Sequence, residues 1–411
     1  MKIKQYIRFQ LKSWLPLIIA VGAVVLTITM IIGLNATPSI SFRCRDGVSY
    51  SSTRHLRALA STSFSGIAAM LIPSMLAACA LPFFAYSHRY GKVRADCFLS
   101  LPVKNGKITQ IRILLLGAIL LAIYLASFLI GSLAAIVKQV LTVSVAKEAF
   151  QESLDLIESY SIQMGSFGWY FLAWPLGAVI VAAFYLTNSF LAGLGSNVLQ
   201  GIIALVGGQL ALCLLLPLTI NLPAVATGEY QWMFDFFGAS GPFFCVGAFY
   251  VPVILLEGTL GVLETNTEAC WSYAARNASQ WVLWMGVSLF LLTAGAALVH
   301  LLLGKEPGGE FAGESRPRNL LATLVPHFAF ATALLAFVNL LAATYYYGFA
   351  SIFILFVTSF VWIDGIYYIV TSLYNHSFKL DLKNWLLYAG VNSFMLLLSI
   401  VVFSVRASFS S

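Results

Sequence analysis

The chain has 411 residues, of which 60% are hydrophobic and 9% are charged, and it carries a formal net charge of +7. A soluble domain is about 45–50% apolar and about 25% charged. The composition therefore excludes a soluble enzyme, a disordered protein and a nucleic-acid binder. It predicts an all-α polytopic membrane protein whose excess of Lys and Arg orients the helices. The six cysteines form no CxxC pair and have no His at metal-ligand spacing, which argues against a metal site and against a disulfide framework.

Apolar runs of about 20 residues are long enough to cross a membrane as helices. Nine such runs predict transmembrane spans at 14–34, 65–86, 113–137, 167–190, 199–220, 281–303, 319–342, 349–372 and 385–405. Before the first span, residues 1–13 have apolar side chains on one helical face and basic ones on the other, at Lys2, Lys4, Arg8 and Lys12. This pattern predicts an N-terminal amphipathic interface helix on the cytoplasmic surface, with a simple positive flank as the equal alternative.

The charge distribution orients the spans with the N-terminus in the cytoplasm. Loop 87–112 is strongly basic and contains Asp96 as its single acid, whereas segment 138–166 contains four acids and two lysines. Because Lys and Arg are enriched in cytoplasmic loops, the first segment is predicted to be inside and the second outside.

The apolar stretch 241–263 decides the topology of the C-terminal part. If it crosses the membrane, five basic residues between 305 and 383 fall outside; if it turns back, they fall inside, as the positive-inside rule requires. Pro252 and Glu257 also disfavour a lipid-facing span. We predict an outer re-entrant helical element, about nine transmembrane helices and an outside C-terminus. Pro252 and Glu257 are candidates for an outer gate, although Glu257 can equally be read as an interfacial acid that reaches water.

The order of these elements and one local motif resemble the membrane subunit (permease) of bacterial type-two ATP-binding-cassette (ABC) exporters. The motif lies in RYGKVRADCFLSLPVKNGKITQIRILLLG, residues 89–117. There Ser100, Leu101 and Pro102 match a Ser-Leu-Pro turn that follows a short polar helix in that family. The resemblance covers roughly residues 1–303, a six-span core (14–303) with its N-terminal helix. Linker 304–318 and the three additional spans within 319–411 lie outside it.

The resemblance implies that residues 93–104 dock on a separate ATPase subunit and transmit ATP-driven closure into the membrane. Val93, Cys97 and Leu101 are spaced for about two helical turns, which Pro102 would end. The candidate ATPase-coupling residues are Arg94, Asp96, Cys97, Leu101, Pro102 and Lys104. An ordinary basic loop between two spans is the alternative.

The resemblance also implies two copies of an ABC ATPase subunit, which carry ATP and Mg²⁺, and a second permease subunit, identical or paralogous. The chain has no Walker A loop, because its Gly-Lys pairs at 91–92, 106–107 and 304–305 are followed by Val, Ile and Glu. We therefore expect no enzymatic activity, no cofactor, and neither catalytic nor metal-ligating residues in this chain.

Span five begins with amides and glycines, which permit close helix contacts and hydrogen bonds between helices. In the resembled family, spans two and five line the route between paired subunits. The candidate translocation-pathway residues are therefore Asn197, Gln200, Gly207, Gly208 and Gln209. Ordinary helix packing with satisfied amides is the alternative for each of them.

Asp364 is the only acid within a regular predicted span. A carboxylate at the bilayer centre costs about 2.5–3.5 kcal/mol on insertion scales. A water-filled crevice, or a partner such as Asn339 or Asn392 on a neighbouring span, would relieve that cost. A structural or assembly role is favoured over a proton-coupling site, since the chain shows no repeated halves with broken helices.

The leading hypothesis is an ATP-driven exporter subunit in the bacterial plasma membrane. Its apolar route, with few charges, suits an amphipathic or lipophilic substrate such as a peptide, a lipid or a drug. The alternatives are an ion- or proton-coupled secondary transporter that uses Asp364, and a non-transporting membrane anchor or assembly factor. Membrane lipids are expected partners and nucleic acid is not. Whether Cys44 and Cys270 pair stays open.

Overall fold

A computed structural model of the chain describes residues 3–35, 57–61, 69–88, 90, 105–151, 159–163, 168–209, 320–343, 349–375, 377 and 381–410. The helices are α1 (Ile3–Asn35), α2 (Ile72–Ala85, after a single 3-10 turn at Ala69–Leu71), α3 (Asn105–Gln151), α4 (Gly168–Gly193), α5 (Val198–Gln209), α6 (Leu320–Ala343), α7 (Phe349–Asn375) and α8 (Leu382–Ser410). Element 241–263, span 281–303 and linker 304–318 lie outside the described residues and stay predictions.

The described residues form a helical membrane protein. Each predicted span that falls within them lies in a helix. Within the described parts of the chain, three helical segments are long and apolar enough to cross a membrane, namely Gln5–Asn35, Ile108–Lys138 and Leu382–Val402. Helix α3 has 47 residues. At about 1.5 Å per residue it is longer than a hydrocarbon core of about 30 Å, so it extends beyond the membrane.

The basic N-terminal segment and the first span form one continuous helix, α1, with no break at residue 13. Tyr6, Gln10 and Trp14 are buried at four-residue intervals, and the Gln10 amide donates to the Tyr6 hydroxyl at 3.2 Å. Arg8 and Lys12 are exposed. The helix that carries these basic residues thus continues directly into the predicted first span.

Contacts divide the chain into two compact units. Among the described residues, the first unit contains those up to Ala78 and those from Leu115 to Tyr185. The second contains those from Cys79 to Leu114 and all those from Leu186 onward. Helices α2, α3 and α4 contribute residues to both.

In the first unit, α1 and α3 cross at two glycines. A Cβ on Gly33 would lie 3.2 Å from the Cα of Gly131 and closer still to its carbonyl oxygen. A Cβ on Gly131 would lie 2.8 Å from the Thr29 methyl group. Small residues let two membrane helices approach to backbone contact, and here both positions exclude any side chain.

We expect the Gly33→Ala variant to unfold at a lower temperature in detergent, with a loss of about 1–3 kcal/mol from overpacking. Gly22→Ala is the matched control on the same helix, because a Cβ there meets only Ile123 at 3.8 Å. That variant should keep or raise the midpoint, since Ala is the better helix former. Equal midpoints for the two variants would contradict the close crossing.

The first unit also joins α3 to α4 by two reciprocal hydrogen bonds. The buried Tyr124 hydroxyl donates to the Trp174 carbonyl at 3.0 Å, and the Trp174 indole donates to the Leu125 carbonyl at 3.2 Å. A Cβ on Gly177 would collide with the Tyr124 hydroxyl. Tyr124 therefore fills a space that the glycine leaves open.

Two short strands, β1 (Arg57–Ser61) and β2 (Ser159–Gln163), pair in parallel, with Arg57 opposite Ser159 and Ser61 opposite Gln163. Both belong to the first unit. The sequence did not predict them. They link the α1–α2 connection to the α3–α4 connection.

In the second unit, α6 packs against both α7 and α8. The core of this three-helix group consists of Phe330, Leu334, Leu335, Phe337, Tyr367 and Met395. Tyr367 stacks on Tyr388 with ring centroids 5.3 Å apart, and it lies tilted against Phe330 with centroids 4.2 Å apart. A second cluster joins α6 to α4 and α5 through Leu191, Leu194, Ala204, Leu205 and Val325.

Candidate functional site

The candidate site lies where α2 ends and α3 begins, on either side of the predicted coupling segment. Arg112 in α3 is only 3% exposed. Its guanidinium donates to the Phe84 carbonyl at 2.8 Å and to the Ser87 hydroxyl at 2.9 Å. The last carbonyls of a helix lack intrahelical partners and carry the negative end of its dipole. Arg112 therefore caps the C-terminus of α2.

His88 also connects the end of α2 to the start of α3 by hydrogen bonds. One ring nitrogen, Nδ1, lies 3.1 Å from the Ala85 carbonyl, and Nε2 lies 3.0 Å from the Thr109 hydroxyl. Because a carbonyl only accepts, Nδ1 carries the proton, and in the neutral ring Nε2 accepts from Thr109. We call the set Phe84, Ser87, His88, Thr109 and Arg112 the loop base.

Two tyrosines extend from the loop base to the end of α4. The Tyr90 hydroxyl donates to the Ala192 carbonyl at 3.2 Å. Tyr86 is buried, and a Cβ on Gly193 would lie 2.6 Å from its hydroxyl oxygen. Likewise a Cβ on Gly201 would lie 3.1 Å from the Tyr90 hydroxyl. The glycines thus let both aromatic rings approach the backbone of α4 and α5.

Helix α5 begins with a cap that also reaches α7. The Gln200 backbone N–H donates to the Asn197 side chain at 2.9 Å, and the Gln200 carbonyl oxygen Oε1 accepts from Ser196, whose backbone N–H lies at 3.2 Å. The Gln200 amide nitrogen donates to the Tyr374 carbonyl, near the end of α7, at 2.9 Å. One buried amide therefore closes the start of α5 and caps the last turn of α7.

The other predicted pathway residues of α5 also contact this same chain. Gln209 donates to the Asn188 side chain, and the Asn188 amide donates to Cys79 Sγ at 3.5 Å. A Cβ on Gly207 would lie 3.2 Å from that of Ala329, and Gly208 faces Leu191. These contacts join α2, α4, α5 and α6. A role in a translocation pathway stays a prediction for all of them.

Asp364 in α7 contacts α8. The side chains of Tyr388 and Asn392 face its carboxylate as hydrogen-bond donors, and one carboxylate oxygen, Oδ1, is buried without a partner among the described residues. Asn392 is one of the two partners that the sequence suggested. The Tyr388 ring stacks against Phe330 with centroids 5.7 Å apart, at an angle of 22°. The acid thus lies beside the aromatic core of the three C-terminal helices.

Several predicted site residues lie outside the described residues. They are the coupling candidates Arg94, Asp96, Cys97, Leu101, Pro102 and Lys104, and the outer-gate candidates Pro252 and Glu257. Sequence reasoning missed the roles of His88, Thr109, Tyr86 and Tyr90, and counted Arg112 only as loop charge. The sequence did contain one signal for Arg112, which is a lone Arg within the largely apolar run ITQIRILLL. A charged side chain in such a run needs hydrogen-bonding partners.

No protein-family model, curated protein or solved structure matches this chain. Within the described part of the chain, no group of His, Cys, Asp and Glu side chains is arranged to hold a metal ion. At the loop base, hydrogen bonds fix the end of α2 and the start of α3 to each other and to a neighbouring turn. The arrangement holds helices in place.

Proposed function

We propose that the chain is the membrane subunit of an ATP-driven ABC exporter for an amphipathic or lipophilic substrate such as a peptide, a lipid or a drug. The observation that carries the proposal is the loop base. A segment that transmits force from an ATPase must be held rigidly against the two helices it joins. Arg112 and His88 hold the ends of segment 91–104 in this way, by buried hydrogen bonds between α2 and α3. Such bonds are costly to break when their groups cannot reach water.

The proposed topology has nine spans, with the N-terminus in the cytoplasm and the C-terminus outside. The Gln200–Tyr374 hydrogen bond supports it, because it brings the start of α5 next to the end of α7. From the start of α5, the predicted spans 199–220 and 281–303 followed by α6 and α7 make four crossings and return to the same side. A further crossing at 241–263 would put the end of α7 on the opposite side. Pairing of β1 with β2 likewise supports a common side for both predicted outer segments.

In the complex, two such membrane subunits, identical or paralogous, pair around a central route in the bacterial plasma membrane. Two ATPase subunits bring ATP and Mg²⁺ from the cytoplasm. Segment 93–104 couples their closure to the spans, and the re-entrant element 241–263 opens on the outer side.

The test is affinity purification of the tagged full chain from its native membrane in mild detergent, with identification of co-eluting proteins. We expect an ABC ATPase to co-elute. Joint replacement Arg94→Ala and Leu101→Ala should reduce its amount at least tenfold, equivalent to about 1.4 kcal/mol of binding energy. Joint replacement Arg8→Ala and Leu15→Ala, at exposed positions of α1, is the control and should leave co-elution unchanged. Absence of any ATPase would overturn the proposal.

A secondary transporter that uses Asp364 is the second candidate, because this acid lies inside a membrane helix bundle next to hydrogen-bonding partners. The variant Asp364→Asn separates the two. Under the exporter proposal, ATP hydrolysis by the purified complex stays within about twofold of the unsubstituted protein, since an amide has the same size as the carboxylate and lies far along the chain from the coupling segment. Complete loss of proton-driven substrate movement, in a chain that co-purifies with no ATPase, would instead favour the proton-coupled transporter.

A further inference from the structure

The two helix ends that flank the turn 194–197, between α4 and α5, are hydrogen-bonded to two different parts of the second unit. On one side the Tyr90 hydroxyl, two residues after His88, donates to the Ala192 carbonyl at 3.2 Å. On the other side the Gln200 amide donates to the Tyr374 carbonyl at 2.9 Å. The first hydrogen bond leads to the loop base and the second leads to α7.

The turn itself is rigid enough to connect the two hydrogen bonds. The Gly195 N–H donates to the Ala192 carbonyl at 3.3 Å. A Cβ on Gly195 would lie 2.6 Å from the Cα of Gly201, so the turn touches the backbone of α5 directly. Ser196 donates to the Gln200 side-chain oxygen, and the Asn197 side chain accepts from the Gln200 backbone N–H. A shift of the α4 end therefore carries Gln200 with it, unless buried hydrogen bonds break at about 1–3 kcal/mol each.

Helix α5 also contacts the C-terminal helices one and a half to two turns further along. A Cβ on Gly207 would lie 3.3 Å from a Val325 methyl and 3.2 Å from the Cβ of Ala329, both in α6. Val325 belongs to the same apolar cluster as Leu191 and Leu205. Helix α5 is thus attached to α7 near its start, through the Gln200–Tyr374 bond, and to α6 further along its length.

We infer that the three C-terminal helices α6–α8 move together with the loop base, and that Tyr90 and Gln200 are the positioning residues that transmit this movement. The inference rests on the proposed function, in which the loop base moves when the ATPase closes. It assigns a role to the three spans outside the six-span pattern: they follow the nucleotide state of the ATPase. By reciprocity, anything that binds α6–α8 in one state alters how readily the ATPase closes.

A chain of contacts carries coupling only if both ends respond together, so the experiment measures that response. A fluorescent non-natural amino acid is placed at Ser377, an exposed position three residues after Tyr374. The full chain is purified with its ATPase, and Mg-ATP with vanadate is added to trap the closed state. The quantity measured is the change in emission per co-purified ATPase. The variants are Tyr90→Phe and Gln200→Leu, and Ser399→Ala is the control, since it removes a buried bond to the Met395 carbonyl within α8.

We expect an emission change in the unsubstituted chain and in Ser399→Ala, and a change at least fivefold smaller in Tyr90→Phe and Gln200→Leu. If Gln200→Leu fails to fold, Tyr90→Phe still decides, because it removes a single oxygen atom. An unchanged response in Tyr90→Phe would overturn the inference. If the ATPase binds but the label in the unsubstituted chain does not respond, the inference fails and the proposed function stands. If no ATPase co-purifies, both fail.

Discussion

Replacement of Arg112 by methionine is expected to lower the free energy of unfolding by about 3 kcal/mol and to reduce co-purification of the ATPase at least tenfold. Methionine keeps most of the apolar stem but removes the guanidinium that donates to Phe84 and Ser87. A hydrogen bond that involves a charged group contributes about 1.5–3 kcal/mol, and its loss here also uncaps the end of α2. With that end released, segment 91–104 loses one of its two fixed ends.

The measurement pairs thermal unfolding in detergent with quantification of the co-eluting ATPase. Arg8→Met, at an exposed position of α1, is the control and should change neither quantity. Arg112→Lys should fall between the two, because an ammonium group keeps the charge but ends a shorter side chain, whereas one guanidinium nitrogen of Arg112 reaches both acceptors. An Arg112→Met protein that unfolds normally and keeps its ATPase would refute the role of the loop base.

Sequence patterns were sufficient to locate several of the helices that the structure describes. The apolar runs 167–190, 319–342 and 349–372 correspond to α4, α6 and α7 within three residues at each end. Length and composition decide this, because a long apolar run in a membrane must satisfy its backbone internally and does so as a helix. The same argument fails at the ends of α3. It continues beyond the predicted span 113–137 in both directions, to Asn105–Gln151, where polar residues keep the helix going outside the apolar region.

The tertiary contacts of the candidate site were not predictable from one sequence. Arg112 and Lys107 look alike as loop charges, and only the fold shows that Arg112 meets the end of α2. The Gln200–Tyr374 bond joins residues 174 positions apart, and nothing in either segment indicates the other. The surroundings of Asp364 were easier to predict, because a lone acid among apolar residues requires polar neighbours. Asn392, an amide within the next predicted span, was a natural choice.

The continuity of the N-terminal helix and the presence of the two strands were not predicted from the sequence, for a different reason. Basic and apolar faces were predicted for residues 1–13, but the continuity of α1 through Pro16 depends on how the helix packs, which periodicity does not reveal. Strand β1, RALAS, shows no strict alternation of apolar and polar residues, whereas β2, SYSIQ, alternates over all five residues but is too short to indicate a partner. Their pairing depends on the approach of two connections that are far apart in the chain.

Replacement of Tyr124 by alanine is expected to give the largest loss of stability in the first unit, about 3–5 kcal/mol. Its ring is fully buried and contacts Phe128 with centroids 5.6 Å apart, and its hydroxyl binds α4 at the Trp174 carbonyl. Glycine at position 177 leaves no side chain to fill the resulting cavity. Tyr124→Phe keeps the ring and loses one hydrogen bond, so it should lose only about 1 kcal/mol.

The comparison uses chemical denaturation of the purified full chain, with Leu133→Ala as the control on the same helix. Leu133 is 52% exposed, and its truncation should leave the midpoint nearly unchanged. If Tyr124→Ala and Tyr124→Phe lose stability equally, the hydroxyl rather than the ring joins α3 to α4. If neither loses stability, α3 and α4 do not pack as the reciprocal Tyr124 and Trp174 bonds require. Ring burial predicts that stability rises from Tyr124→Ala to Tyr124→Phe to the unsubstituted chain. The reason is that the cavity left by the ring costs far more free energy than the loss of one hydrogen bond.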